Sequence, residues 1–113
     1  MAEGPTRAAP GGPVDDEVVA GIAPLTVRRH VKWGDVDFAR VMYTPRFLDW
    51  VLEAAETWFK HAVGQHWAEF DSRHGLIMPV VACRLEFARA LPPDERVDLA
   101  VRVESIGRSS HTV

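Results

Sequence analysis

The feature that most constrains the fold is a long apolar segment that follows a Thr-Pro pair, "TPRFLDWVLEAAETWFKHAVG". Thr44 suits a helix N-cap, Pro45 suits the first helical position, where its missing N–H costs no hydrogen bond, and Gly64 suits the end. Apolar side chains follow two adjacent helical stripes. One stripe is Phe47, Val51, Ala54, Trp58 and Ala62, and the other is Leu48, Leu52, Ala55 and Phe59. An apolar arc of this width predicts a helix that other elements wrap.

Segments on both sides of this helix have the alternation of strands. In "LTVRRHVKW", Leu25, Val27, Val31 and Trp33 share one face, which Arg29 interrupts. After the helix and a loop, "IMPVVACRLEFARA" and "RVDLAVRVESIG" flank the turn "LPPDER" and predict an antiparallel hairpin. The final "RSSHTV" is typical of the opening of another strand. The predicted class is α+β, with an antiparallel sheet covering one long helix.

Composition limits what such a chain can do. With 113 residues it forms at most one domain, preceded by a Gly-, Pro- and Ala-rich flexible leader over residues 1–23. A net charge of −3 without a basic run makes nucleic acid an unfavoured partner. No apolar run reaches the roughly 18–20 residues of a membrane-spanning helix, there is no secretion signal, and Cys83 is alone. These features predict a soluble cytoplasmic protein, and the histidine spacing predicts no metal site.

Two carboxylates precede the helix in "WGDVDFARVMYTPRF", and this stretch carries a resemblance. It is similar to the Gly-Asp-x-Asp, aromatic and Pro pattern of the hot-dog fold acyl-CoA thioesterases of the 4-hydroxybenzoyl-CoA thioesterase type. Weaker similarity in "MPVVACRLEF" and "VRVESIGRSSHTV" extends the resemblance over residues 27–113. The resemblance implies a sheet wrapped round one central helix, a homodimer or homotetramer, and active sites between subunits.

The resemblance also implies roles for individual residues in hydrolysing an acyl-CoA to the free acid and CoA, without a cofactor. Asp37 is the implied catalytic carboxylate, as a general base or as a nucleophile. The backbone N–H at about Thr44 would polarise the thioester carbonyl, which fits the unpaired N–H groups and positive dipole of a helix N-terminus. Tyr43 and Arg40 would line the acyl pocket, and Arg108 would bind CoA. Arg40 stands where many relatives have Gly.

Other interpretations of the same residues stay open. Asp35 is expected to brace the loop. Glu53 or Glu56 could be a helix carboxylate of another hot-dog branch, although the polar edge of an amphipathic helix explains both more simply. A non-catalytic acyl-thioester-binding or oligomer-forming hot-dog module is the alternative function. A hydratase is less favoured, because the Asp/His pair of that class is not found.

The resembled proteins continue beyond the strand that "RSSHTV" opens. Residues 24–113 are therefore predicted to be a hot-dog domain that lacks its last strand or strands. Part of the apolar surface of the helix should then remain uncovered, and 113 residues expressed alone are expected to be aggregated or molten and weakly active.

Overall fold

A computed structural model of the chain describes residues 17–113, so most of the predicted leader lies outside the described residues. The boundary of that leader at residue 23 is wrong, because strand β1, Val18–Ile22, lies within it. β1 pairs antiparallel with β2, Leu25–His30, from Val18 opposite Arg28 to Ile22 opposite Leu25. Glu17 accepts a hydrogen bond of 2.6 Å from the Thr57 hydroxyl, which links the start of β1 to the long helix.

β2 is the central strand of a three-stranded antiparallel sheet with the order β1-β2-β3. Strand β3, Arg96–Val101, pairs with β2 over its full length, from Leu25 opposite Val101 to His30 opposite Arg96. The predicted hairpin between residues 77–90 and 96–107 is therefore wrong. Within the described chain, residues 75–87 form neither helix nor strand. The β-forming composition of this segment is local, whereas a strand also requires a partner whose backbone groups are free.

Helix α1, Thr44–Val63, confirms the long helix predicted from the apolar stripes. It ends at Gly64, which has a φ of 77° and donates its N–H to the Lys60 carbonyl at 2.7 Å. The predicted N-cap is wrong by one residue, because the cap is Tyr43 and Thr44 is already helical. The Tyr43 backbone is extended and its carbonyl accepts the Arg46 N–H at 2.8 Å, so the first turn closes one residue earlier.

A second helix, α2, Trp67–His74, occupies a region that the sequence predicted as loop. Its aromatic side chains pack on the C-terminal half of α1. Trp67 stacks on Phe59 at a centroid distance of 4.5 Å, and Phe70 meets the same ring edge-on at 5.2 Å. Short helices depend on such tertiary packing more than on propensity, which explains why local composition did not reveal this one.

The core lies between the sheet, the N-terminal half of α1 and residue 91. Val31, Met42, Trp50 and Leu91 form one buried cluster. The predicted inward position of Trp33 is wrong, and the side chain is 82% exposed. β2 ends at His30, so the strand alternation no longer applies where Trp33 begins the 3₁₀ turn Trp33–Asp35.

Arg29, which interrupts the apolar face of β2, is accommodated by charge and by an aromatic face. Its guanidinium forms an ion pair with Glu53 of α1, lies 3.7 Å from a Glu17 carboxylate oxygen, and sits 5.3 Å from the centre of the Trp50 ring. These contacts give Glu53 a structural role as the partner of Arg29.

Strands β4, Ser105–Ile106, and β5, His111–Thr112, form a separate short hairpin, which confirms a strand in "RSSHTV". The His111 ring lies 5.5 Å from the Trp58 ring, so the hairpin contacts the C-terminal half of α1. Sheet, helices and hairpin confirm the predicted α+β class. On α1, Leu48 and Leu52 are exposed whereas Trp50 and Phe59 are buried.

Candidate functional site

The residues that the sequence singled out lie mainly in one loop, residues 32–46, which connects the sheet to α1. Val36 and Met42 form an antiparallel bridge across this loop. Beyond the bridge, the Asp37 N–H donates to the Val41 carbonyl at 3.2 Å, and the Arg40 N–H donates to the Asp37 carbonyl at 2.9 Å. The loop is therefore a small hairpin with Asp37 in its turn, closed at the start of the helix. We call it the 32–46 loop.

Asp35 is the buried centre of the 32–46 loop, with 5% of its surface exposed. One carboxylate oxygen accepts the Lys32 N–H at 2.9 Å, and the other lies 3.3 Å from Arg46 Nε. Its carbonyl accepts the Tyr43 N–H at 2.8 Å, and its own N–H donates to the Lys32 carbonyl at 2.9 Å. A buried carboxylate is stable only when it is paired and hydrogen-bonded, so these contacts account for its burial. The predicted bracing role of Asp35 is confirmed.

Asp37 differs from Asp35 in both burial and partners. It is half-buried, and its Oδ1 accepts the Ala39 N–H at 2.8 Å, which orients the carboxylate within the turn. Among the described residues, the second carboxylate oxygen has no hydrogen bond and no ion pair. The arrangement leaves one oriented carboxylate oxygen open to a ligand or to water.

Thr44 provides an open donor at the positive end of the α1 dipole. It is the first helical residue, it is exposed, and its N–H has no acceptor within residues 17–113. Pro45 has no N–H, and the Arg46 N–H already donates to Tyr43. Thr44 therefore contributes an unpaired backbone N–H of the kind that stabilises negative charge at a helix N-terminus.

The side chains beside Asp37 and Thr44 are strongly exposed. Phe38 is 99% exposed, and Tyr43 is also exposed. Arg40 is exposed and has a φ of 69°, a left-handed conformation that glycine adopts without strain. This conformation therefore costs Arg40 more than it would cost glycine. The Arg40 guanidinium forms no ion pair within residues 17–113.

Arg108 is not brought to the 32–46 loop by the described residues. It lies between β4 and β5, where the Gly107 N–H donates to the Ser110 carbonyl at 2.7 Å. The hairpin contacts α1 through His111 and Trp58. At 1.5 Å per residue, Trp58 lies about 21 Å along the helix axis from Thr44. Within residues 17–113, no hydrogen bond or ion pair joins Arg108 with Asp37 or Tyr43.

Two cavities lie beside the helix, and Asp37 and Thr44 line neither. One, of about 350 Å³, is polar and lies on the Asp35 side of the loop. The other, of about 550 Å³, is lined by Leu25, Trp58, His61, Val101 and neighbouring residues. Asp37 is half-buried and Thr44 is exposed, and both lie outside these two cavities.

Sequence reasoning missed Arg46, which contacts the buried Asp35 and lies 3.7 Å from Asp49. No periodicity or spacing indicates this contact, because the two residues meet only when the 32–46 loop folds back. The position of Arg29, by contrast, is noticeable in the sequence, because its charge interrupts the apolar face of a predicted strand. The described residues contain no cluster of three or more metal-ligating side chains, and none of their helices is long and apolar enough to cross a membrane.

Comparison with known proteins supplies one match. Residues 31–113, which include the 32–46 loop, α1 and both hairpin strands, match the Thioesterase-like superfamily. No curated protein and no solved structure is similar enough to the chain to count as a match.

Proposed function

Because the chain belongs to the thioesterase-like superfamily of hot-dog domains, we propose that it hydrolyses an acyl-CoA thioester to a carboxylic acid and free CoA. One observation carries this proposal. The 32–46 loop presents an oriented carboxylate, Asp37, and an unpaired N–H, Thr44, from a single short hairpin that ends in the helix. A base or nucleophile and an oxyanion donor are the two groups that thioester hydrolysis requires.

In the proposed reaction the thioester carbonyl oxygen accepts the Thr44 N–H, so negative charge develops at the positive end of α1. Water attacks the carbonyl carbon and passes a proton to the open oxygen of Asp37. The C–S bond then breaks, and the CoA sulfur leaves as the thiolate, which takes up the proton. In the alternative course the Asp37 carboxylate attacks the carbonyl carbon and expels the CoA thiolate, forming a mixed anhydride. Water then cleaves the anhydride to the free acid and the Asp37 carboxylate, and the proton released protonates the thiolate.

The proposed assembly is a homodimer or homotetramer with a second copy covering the site. Phe38, Trp33 and Tyr43 are exposed around the candidate catalytic groups. Exposed aromatic side chains in one patch are typical of an interaction surface. Arg108 would bind the CoA phosphates of a site on the partner subunit, because it lies away from the loop of its own chain. Tyr43 and Arg40 would line the acyl pocket. We also place the protein in the cytoplasm, which the single cysteine supports.

The alternative function is a hot-dog module that binds acyl thioesters or forms oligomers without hydrolysing them. The position of Asp37 outside both cavities and the non-glycine residue at Arg40 favour it, since either feature could leave the carboxylate poorly placed for chemistry.

The test is release of free thiol from a panel of short, long and aromatic acyl-CoAs. We expect turnover of at least one substrate. We expect Asp37→Asn to lower that turnover by roughly 10²- to 10⁴-fold, as for a lost general base, or by more for a lost nucleophile. The Asn side chain is nearly isosteric and keeps an oxygen for the Ala39 N–H, so the fold should be unchanged. Turnover that persists in the variant would remove Asp37 from the mechanism, and saturable binding without turnover would favour the non-catalytic module.

A further inference from the structure

We propose that Arg46 is a positioning residue that acts through Asp35 to fix Asp37 and the Thr44 N–H relative to each other, an inference that rests on the proposed thioesterase function. No step of the proposed reaction uses Arg46 itself. Its contacts nevertheless connect the buried centre of the 32–46 loop with the first turn of α1.

The first step of the argument concerns charge. The Asp35 side chain is 6% exposed, and two cations lie close to it, Arg46 Nε at 3.3 Å and Lys32 Nζ at 3.5 Å. Burying a carboxylate is unfavourable without such compensation. Arg46 Nε is itself buried and makes no hydrogen bond with good geometry, so its contribution at this position is electrostatic. Removing Arg46 would leave the Asp35 carboxylate with Lys32 as its cationic partner.

The second step concerns geometry. Asp35 is bonded on both sides of the loop, because it accepts the Lys32 N–H at the end of the sheet and the Tyr43 N–H at the start of the helix. Tyr43 directly precedes Thr44, and Asp35 is two residues before Asp37. A displacement of Asp35 therefore moves both proposed catalytic groups. Arg46 also lies 3.7 Å from Asp49, one turn further along α1, which ties the guanidinium to the helix.

The third step concerns magnitude. A misplacement of about 1 Å from a substitution remote from the chemistry can cost on the order of 10²-fold in rate. We therefore expect Arg46→Met to lower kcat by about 10- to 100-fold, with KM changed by less than about threefold, because Arg46 touches no bound substrate in the proposal. Arg46→Lys, which keeps the charge but not the planar guanidinium, should recover part of the loss.

The matched control is Arg73→Met, the same chemical change in the pair between Arg73 and Glu69 on α2, where both side chains are largely exposed. The control should leave kcat and KM unchanged, since exposed pairs contribute little. Amide exchange followed by NMR supplies a readout independent of activity. In Arg46→Met the Tyr43 amide should exchange at least about tenfold faster, whereas the β2 amides keep their protection.

The decisive comparison uses the Asp37→Asn background at enzyme concentrations that reveal its residual rate. Because Asp37 is one of the two groups that Arg46 positions, adding Arg46→Met there should lower the residual rate by a smaller factor than in the wild type, since coupled residues are not additive. A full, additive loss would show that Arg46 does not act through Asp37 and would overturn the proposal. So would an unchanged kcat or an unchanged Tyr43 exchange rate in Arg46→Met.

If Arg46→Met does not fold, Arg46→Lys undergoes the same measurements. If the wild-type protein hydrolyses no acyl-CoA, the proposed function fails, while the exchange experiment still decides whether Arg46 holds the loop.

Discussion

The 32–46 loop and the 76–90 segment are both irregular connections. They differ in that only the loop forms backbone hydrogen bonds between its own residues within the described chain. In the loop, backbone and carboxylate groups pair across a hairpin around the buried Asp35. In the segment, most side chains are exposed, among them Val81 at 88%, and none of its residues joins a strand of the described chain. Apolar content alone would predict the reverse, because the segment is the richer in β-forming residues.

The difference shows that the hydrogen bonds a segment forms, and not its β-forming composition, set its order. Backbone polar groups that leave water must find partners, and the 32–46 loop finds them within itself. The 76–90 segment pairs with no strand of the described chain, although β3, at the end of the order β1-β2-β3, has one edge that no described strand occupies. Its contact with α1 comes through Phe87, whose ring lies 4.9 Å from that of Phe47. We therefore expect substitutions in the loop to change chemistry, and substitutions in the exposed parts, including the β4–β5 hairpin, to change binding.

After Asp37→Asn, the largest expected effect comes from Thr44→Pro, which deletes the proposed oxyanion donor. Loss of one such donor costs on the order of 10²-fold in kcat. Proline is tolerated in the first helical turn, and the extended backbone of Tyr43, with a ψ of 125°, suits a residue before proline. Steady-state kinetics with a circular dichroism spectrum check the outcome.

The control for that substitution is Thr44→Ala, which removes the hydroxyl and keeps the N–H. It should retain nearly all of the activity. A folded Thr44→Pro protein with the kcat of the wild type would show that the N-terminus of α1 does not polarise the carbonyl. The expectation that substitutions in the 32–46 loop change the chemical step would then be wrong for Thr44.

How far sequence could anticipate these regions depends on the range of the contacts involved. Helix α1 and the alternation in β2 and β3 are local patterns. They predict α1 nearly to the residue, whereas the predicted strands extend past the observed ends of β2 at His30 and of β3 at Val101. The pairing of β3 with β2 joins residues about seventy positions apart, so local alternation could not distinguish it from a hairpin with the preceding segment. The Asp37 assignment came from a motif, whereas the Arg46 contact with Asp35 depends on how the loop folds back.

The next effect in size concerns Arg108, in the exposed part of the molecule. A contact with a CoA phosphate is made in the ground state and in the transition state alike, so Arg108→Ala should raise KM by about tenfold and leave kcat nearly unchanged. Arg102→Ala, on an exposed residue before β4, is the control. A fall in kcat at constant KM would place Arg108 in the chemical step. Substitutions in the loop and in the β4–β5 hairpin would then no longer differ in whether they change chemistry or binding.

A smaller effect is expected from Arg40→Gly. Arg40 has a φ of 69°, and a left-handed conformation costs a non-glycine residue about 1–2 kcal/mol. Glycine removes that cost but adds freedom to the unfolded chain, so the free energy of unfolding should rise by about 0.5–1 kcal/mol. Urea denaturation measures it, and Arg40→Ala, which keeps the left-handed cost, should give no gain. Destabilisation by glycine would indicate that the Arg40 side chain itself stabilises the loop.

The smallest effect belongs to a pair that is bonded but not buried, Arg28 and Asp98, which face each other across β2 and β3 at 2.8 Å. The hydrogen bond from Arg28 lowers the pKa of Asp98, desolvation partly offsets that shift, and the positive charge of Arg28 adds to it. A carboxyl whose pKa is lower in the folded protein contributes stability above its unfolded pKa of about 3.9, and this contribution is lost as pH falls through the folded pKa.

The urea midpoints of wild type and Asp98→Asn should therefore differ slightly at neutral pH and converge below about pH 4. Arg28→Gln should give the same profile, because the shift depends on the pair. A difference that persists unchanged into strong acid would mean that Asp98 acts through packing. Convergence of a small difference would instead show that an exposed pair contributes little to stability, in contrast to the buried Asp35, where we expect the loss of Arg46 to displace the 32–46 loop.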